Sequence, residues 1–171
     1  MSVSDELLDV VDEQDRVIAV ERRGDIHARG LMHRAVHILV FNAAGQLFLQ
    51  KRSMSKDEQP GKWDTSAAGH VDSGEDYDSC ARREIGEELG IEADVALERL
   101  FKLAANPETG NEHCMVYRCC YDGPLTLQPD EIDEGAWVDA EDMDRRVAAV
   151  EAELTSAIVQ IWTRYRQSGM D

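Results

Sequence analysis

Two apolar-rich runs, residues 6–12 and 16–21, flank the polar Glu13-Gln14-Asp15 and predict a β-hairpin at the start of the chain. A turn-rich passage, 24–30, follows. Residues 35–41 are a continuous apolar strand pattern interrupted only by His37, and a turn at 42–45 leads into a second strand, 46–52, so the two read as a second hairpin. The loop 53–63 carries Pro60-Gly61 and runs into 64–68. Between 75 and 89 helix formers run without proline. Ser73 and Gly74 precede this stretch and Gly90 follows it, which predicts a helix with a glycine stop. Tyr77, Ala81, Ile85 and Leu89 recur every four residues, a stripe that can pack on a sheet. Further strands are predicted at 100–104, 113–121 and 135–139, with a loop at 106–111. Val147, Val150, Leu154, Ile158, Ile161 and Tyr165 recur at steps of three and four and predict one C-terminal amphipathic helix. By periodicity alone this is a mixed α and β chain without internal repeats.

A length of 171 residues suits one domain with its own core. The net charge of −17 argues against a nucleic-acid polymer as partner, since that needs a basic surface. Small phosphorylated ligands stay compatible, because cations or local Lys and Arg can invert the field inside one cleft. Cys80, Cys114, Cys119 and Cys120 form neither a Cys-x-x-Cys pair nor a disulfide framework, which points to reduced thiols. The N-terminus has no secretory pattern and nowhere do 18 apolar residues run together. The expectation is a soluble cytoplasmic protein with no membrane partner.

The most informative stretch is residues 69–91, which reads Gly-x5-Glu-x7-Arg-Glu-U-x-Glu-Glu-x-Gly-U with U a bulky aliphatic. Gly69, Glu75, Arg83, Glu84, Ile85, Glu87, Glu88, Gly90 and Ile91 fill every fixed position. At average residue usage the seven invariant letters coincide by chance only ~10⁻⁸ times per register. Glu84, Glu87 and Glu88 are spaced three and four residues apart, which stacks their carboxylates within about 5 to 6 Å on one helix face. Like charges so placed destabilise an isolated helix, so something positive belongs there. A cluster of oxygen ligands without His or Cys suits Mg²⁺ or Mn²⁺ and suits Zn²⁺ poorly. Arg83 is placed to orient a carboxylate by a charge-assisted hydrogen bond. Glutamates alone would read as a solvated acidic face; the glycine frame and Arg83 favour a site.

These residues resemble the Nudix box, matched without a gap. The resemblance implies an α/β (α+β) fold, an α/β/α sandwich around a mixed β-sheet, with an N-terminal hairpin extension at 1–30 and a Nudix domain at 31–171. It also implies Mg²⁺- or Mn²⁺-dependent hydrolysis of a nucleoside diphosphate linked to another moiety X, by water attack on phosphorus. Glu84, Glu87 and Glu88 would be metal ligands, one of them the base for water, and the Gly69 carbonyl a further ligand. Lys51, Arg52, Lys62 and His70 are the candidate substrate contacts. Glu131 and Glu134, with Glu112 third, are candidates for an extra ligand or base from beyond the box.

A second layer of residues, His33-Arg34-Ala35-Val36-His37, Gln50-Lys51-Arg52-Ser53, Pro60-Gly61-Lys62-Trp63-Asp64 and Ala68-Gly69-His70-Val71, resembles the branch close to isopentenyl-diphosphate isomerase. His33, His70 and Glu112 match metal ligands of that isomerase, which leaves open a second metal site. Gly110 stands where another acidic group is expected, and Ala68 where the isomerase has its cysteine. Alanine cannot transfer a proton, so hydrolysis is favoured over isomerisation. A non-catalytic nucleotide sensor is the remaining alternative, and the intact box weighs against it. Trp63, Phe101 and Tyr117 are expected in the core. Arg22, Arg23 and Arg29 would reach a partner's cleft in a homodimer.

Overall fold

The computed structural model describes residues 2–92 and 94–169; Met1, Ala93, Met170 and Asp171, which the expected segments 1–30 and 31–171 include, lie outside the described residues. The apolar run around 35–41 is the spine of the sheet. It begins earlier than its hydrophobicity shows, as β3 (His33–Phe41), because its polar start is paired as well: His33 lies opposite Glu112 in a parallel ladder with β8 (Glu112–Cys120). On its other side β3 runs antiparallel to β6 (Ala67–His70), with Ala35 opposite His70 and His37 opposite Ala68. Every β3 residue except Arg34 is buried, as expected for a strand covered on both faces. Beyond β8 the sheet ends at β7 (Glu98–Leu103).

The predicted second hairpin is closed only at its turn. β4 (Leu47–Arg52) leaves β3 after the pair Phe41–Leu47 and carries β9 (Ile132–Val138) and β5 (Trp63–Asp64) instead. Alternation along β3 then serves two cores. Val36, Ile38 and Val40 meet Tyr77, Ala81, Ile85 and Leu89 of α2 (Tyr77–Leu89). Leu39 and Phe41 meet Ile158, Ile161, Trp162 and Tyr165 of α4 (Ser156–Gln167), with Met143 of α3 (Ala140–Ala148). The result is the α/β/α sandwich around a mixed sheet that the resemblance implies. Tyr117 packs in the first core, and Trp63 and Phe101 against the second, as expected of them.

The single C-terminal helix of the periodicity is in fact two. α3 ends at Ala148 and Val150 takes a positive φ of 47°. Leu154 then lies beside Trp63 in a parallel bridge, with Trp63 N–H donating to Glu153 O (2.7 Å) and Thr155 N–H to Trp63 O (2.9 Å). Apolar spacing of three and four cannot distinguish a helix from a helix interrupted to feed a sheet edge.

At the N-terminus, β1 (Leu7–Val11) and β2 (Val17–Arg22) form the expected hairpin. The passage that predicts turns is a short helix, α1 (Arg23–Arg29), concealed by Gly24 within it and Gly30 after it; Gly30 is its left-handed stop. Leu8 and Val10 pack with Ile26 of α1 in a small third core. Asp15 fastens the hairpin tip to the sandwich, accepting from Arg34 Nε (2.7 Å), Tyr77 OH (2.7 Å) and Lys102 Nζ (2.6 Å). No helix among the described residues is long and apolar enough to cross a membrane.

Candidate active site

The local code of α2 places its carboxylates. Asp76 caps the helix by accepting from Ser79 N–H (2.7 Å), and Gly90 stops it at φ 69°. The buried stripe fixes the rotation of the helix, so Glu84, Glu87 and Glu88 turn toward β6. There Gly69 pairs with Val36, and a Cβ on Gly69 would overlap the Glu84 carboxyl group. Glycine is thus required by close approach of a side chain, not by its backbone angle.

Arg83 is the hub of the box. It donates to both oxygens of Glu75 (2.9 Å each), to Glu84 Oε1 (2.8 Å), to the His70 carbonyl (3.3 Å) and to Glu87 Oε2 (3.4 Å). It orients three carboxylates of the motif, which is more than the one expected from spacing. Glu88 is buried, and its Oε1 accepts from Ala68 N–H at 2.7 Å. Burial, and then the charge of Glu84, hold the Glu88 carboxyl well above the usual range. Burial, opposed by Arg83 and reinforced by Glu87, pushes Glu84 up to about 7. Two desolvated carboxylates therefore face one another with too little positive charge between them.

These residues line a cavity of about 840 Å³ that also takes in Arg23, Arg52, Lys56, His70, Glu112 and Glu131. Of the expected substrate contacts, Arg52 and His70 reach it; Lys51 and Lys62 do not line it. Lys51 lies opposite Glu134 on β9, and Glu134 is exposed outside the cavity. Glu131, from the preceding loop, is the acidic residue that enters, and it is ion-paired with Lys56. Arg23, expected to reach a partner's cleft, is turned into this chain's own cavity. It holds Asp57 through two bonds of 2.9 and 3.0 Å and approaches His70 Nδ1 at 3.4 Å.

Three of the five histidines converge beside the box. The rings of His27, His33 and His70 lie with centroids 5.1 to 5.3 Å apart, and one nitrogen of each falls within 4.8 Å of the others. Each ring is anchored through its far side: His33 Nδ1 on Leu31 O (2.9 Å), His27 Nδ1 near Glu58 (3.4 Å), and His70 Nδ1 near Arg23. The Nε2 atoms of His27 and His33 are buried without a hydrogen-bond partner among the described residues. Glu112 Oε1 lies 3.4 Å from His70 Nε2 and 3.7 Å from His33 Nε2. Although burial opposes it, the imidazoles hold the Glu112 carboxyl well below its usual range. Burial, then the charge of His70, lowers His27 to about 4. His33, His70 and Glu112 are expected from the sequence; His27 is not, because it rides on α1, where the residue pattern predicts turns. His113, in contrast, engages both nitrogens, with Asp12 O (3.0 Å) and Ala105 N–H (3.2 Å), and is structural.

A sandwich whose central helix offers clustered carboxylates to a glycine-bearing strand, around an arginine hub, defines the class of hydrolases built on this box. The NUDIX domain family model matches residues 31–158, and the chain belongs to the Nudix family, whose members act on nucleoside diphosphates linked to another moiety. An uncharacterized Nudix hydrolase of Yersinia pestis is 42% identical over 141 residues, covering 82% of this chain and 77% of that protein. A Nudix hydrolase of Deinococcus radiodurans is 37% identical over 151 residues, 88% of each chain. Among solved structures, that of DR0079 from Deinococcus radiodurans superimposes with a TM-score of 0.83 at 32% identity, over 93% of this chain and 98% of that one.

Proposed function

We propose that this enzyme hydrolyses the diphosphate bond of a small nucleotide derivative with Mg²⁺ or Mn²⁺ held by Glu84, Glu87, Glu88 and the Gly69 carbonyl. The observation that carries this reading is the pair Glu84 and Glu88, desolvated, mutually repelling and clamped by Arg83 and Ala68 N–H rather than left to swing away. An all-oxygen set of this kind fits a hard divalent cation. Bound there, the cation neutralises diphosphate charge and lowers the pKa of attacking water. The chain's own residues do the remainder. Arg83 keeps Glu84 and Glu87 aimed at the cleft, Glu88 or Glu131 receives the proton of the water, and Arg52 and Lys56 supply positive charge to the phosphates.

The buried Nε2 atoms of His27 and His33, unpartnered among the described residues, support a second seat, for a borderline metal such as Zn²⁺, completed by His70 and Glu112. It does not make an isomerase, because Ala68 offers no titratable group at the position where one is needed. The four thiols, three of them buried, support a reducing cytoplasmic location, and the exposed Val17, Ile18 and Val20 of β2 support a homodimer through the hairpin.

The test is chromatography of products after incubation with nucleoside diphosphates and triphosphates, ADP-ribose, dinucleoside polyphosphates, sugar nucleotides and isopentenyl diphosphate, each with Mg²⁺, Mn²⁺ or EDTA. Metal-dependent cleavage of one class establishes the reading. Tight binding without cleavage points to the sensor, and isomerised isopentenyl diphosphate to the isomerase.

A further inference from the structure

Three of the cysteines are buried, and one of them does not pack as an apolar residue. Cys80 and Cys119 belong to the core beneath α2, whereas Cys114, equally buried, joins none of the three apolar cores. Strand alternation sets its neighbours. In the parallel ladder of β3 and β8, His33 lies opposite Glu112 and Ala35 opposite Cys114, so His33, Ala35 and His37 share one sheet face with Glu112 and Cys114. Val36 and Met115, one step along, face α2 and the box instead. Ala35 sits in the middle of this patch, opposite His70 on β6, and its short side chain lines the cavity. A small buried cysteine usually serves as core filling; here it is surrounded by groups that ligate metals.

A ring nitrogen of His37, a carboxylate oxygen of Glu112 and the Cys114 sulfur all lie within 4.8 Å of one another. A zinc tetrahedron with bonds of about 2.0 to 2.3 Å has edges of roughly 3.5 Å, so a modest turn of the flexible Glu112 side chain closes the set. The His37 ring is braced from one side, with Thr65 Oγ1 2.7 Å from Nδ1, as ligating histidines are braced, which leaves Nε2 for a cation. Glu112 Oε1 is turned to His33 and His70, so its second oxygen is open to another partner. Among the described residues the Cys114 sulfur makes only a weak contact, 3.7 Å to the Glu112 main-chain carbonyl. Burial, and then the charges of Glu112 and Asp64, hold that thiol well above its usual range, so it is no free nucleophile. A cation arriving there takes the place of the proton.

We propose that His37, Cys114 and Glu112 form a further metal seat, for Zn²⁺ or a cation of similar softness, with Glu112 bridging it to the seat of His27, His33 and His70. The mixed sulfur, nitrogen and oxygen set suits Zn²⁺ and not Mg²⁺, which suits the all-oxygen box. Three protein ligands leave a fourth position open to the cavity that His37 and Glu112 line. The box glutamates lie on the other face of the sheet, so the hydrolase reading stands whether or not this seat exists. The test is NMR of the cadmium nucleus, with Cd²⁺ as the probe in place of Zn²⁺ and a phosphine as the reductant. The wild type is expected to give one resonance displaced far downfield by a sulfur ligand, and added Zn²⁺ to abolish it by competition. Cys114→Ser loses that resonance, His37→Phe shifts or loses it, and Cys120→Ser, which changes the exposed thiol, leaves it in place. The seat is overturned if the wild type shows no sulfur-shifted resonance, or if one survives in Cys114→Ser, stays unmoved in His37→Phe or vanishes in Cys120→Ser. Should Cys114→Ser fail to fold, the wild type and Cys120→Ser decide. His27→Gln separates this seat from its neighbour: persistence of the sulfur-shifted resonance supports two seats, and its loss overturns them in favour of one joined centre.

Discussion

Gly69 and Glu84 show how a single atom can decide a site. Any Cβ at 69 collides with the Glu84 carboxyl group, so Gly69→Ala must displace either β6 or the glutamate. The colliding atoms belong to the flexible end of the Glu84 side chain, so the glutamate gives way more readily than the strand. A large loss of turnover with little change in Tm is expected; full turnover in Gly69→Ala would refute the packing argument. Glu88→Gln is the complementary change. It keeps the shape and the acceptor for Ala68 N–H but removes the charge, so the fold should persist while kcat falls by about 10² or more, on the scale of losing one transition-state interaction. Undiminished kcat in a well-folded Glu88→Gln would sink that assignment. At this scale much was legible beforehand: the three box glutamates, Gly69 and Arg83 are set by short-range spacing. Glu131 rather than Glu134 reaches the cavity because the loop ends one residue before β9, and strand pairing turns Glu134 toward Lys51.

At the scale of elements, α2 is both a core helix and a clamp. Arg83 ties its exposed edge to the loop before it through Glu75, and Lys in its place can make only a point contact where the guanidinium makes a fork. Arg83→Lys should therefore lower activity while costing less stability than Arg83→Met. The latter leaves Glu75 and Glu84 without their partner, at about 2 kcal/mol after allowance for partial exposure. Equal chemical-denaturation midpoints for the two variants would contradict this. Thr155 has two duties, capping Ile158 N–H and bonding Asp64, so Thr155→Ala should cost about 1–2 kcal/mol, measured by urea unfolding. The break before α4 and the helix α1 were not legible in the chain. Both depend on partners remote in sequence, Trp63 for the first and the packing of Ile26 on β1 for the second.

For the molecule as a whole, the acidic site makes stability depend on pH and, under the proposed metal binding, on metal as well. The Glu84 carboxyl titrates at about 7 when folded and near 4.5 when unfolded. Between these values the folded state binds more protons, so this group's contribution falls as pH rises from about 4.5 through 7, by on the order of 3 kcal/mol at most. Glu84→Gln should remove that slope from the metal-free protein. The difference in unfolding free energy between variant and wild type therefore grows with pH across the window, and parallel curves would disprove it. Because metal binding requires the ionised form, Mg²⁺ should raise the wild-type Tm more at pH 8 than at pH 6.

By itself the sequence determined the box, its helix, the carboxylate face and most strands, because each depends on neighbours within a few turns or on alternation along one strand. Only the tertiary structure decided which distant groups share the cavity. His27, His33 and His70 come from α1, β3 and β6, and His37 meets Asp64 across β3 and β5. Their approach is set by strand order and by the divergence of β4 from β3, and residue spacing along the chain carries no record of either.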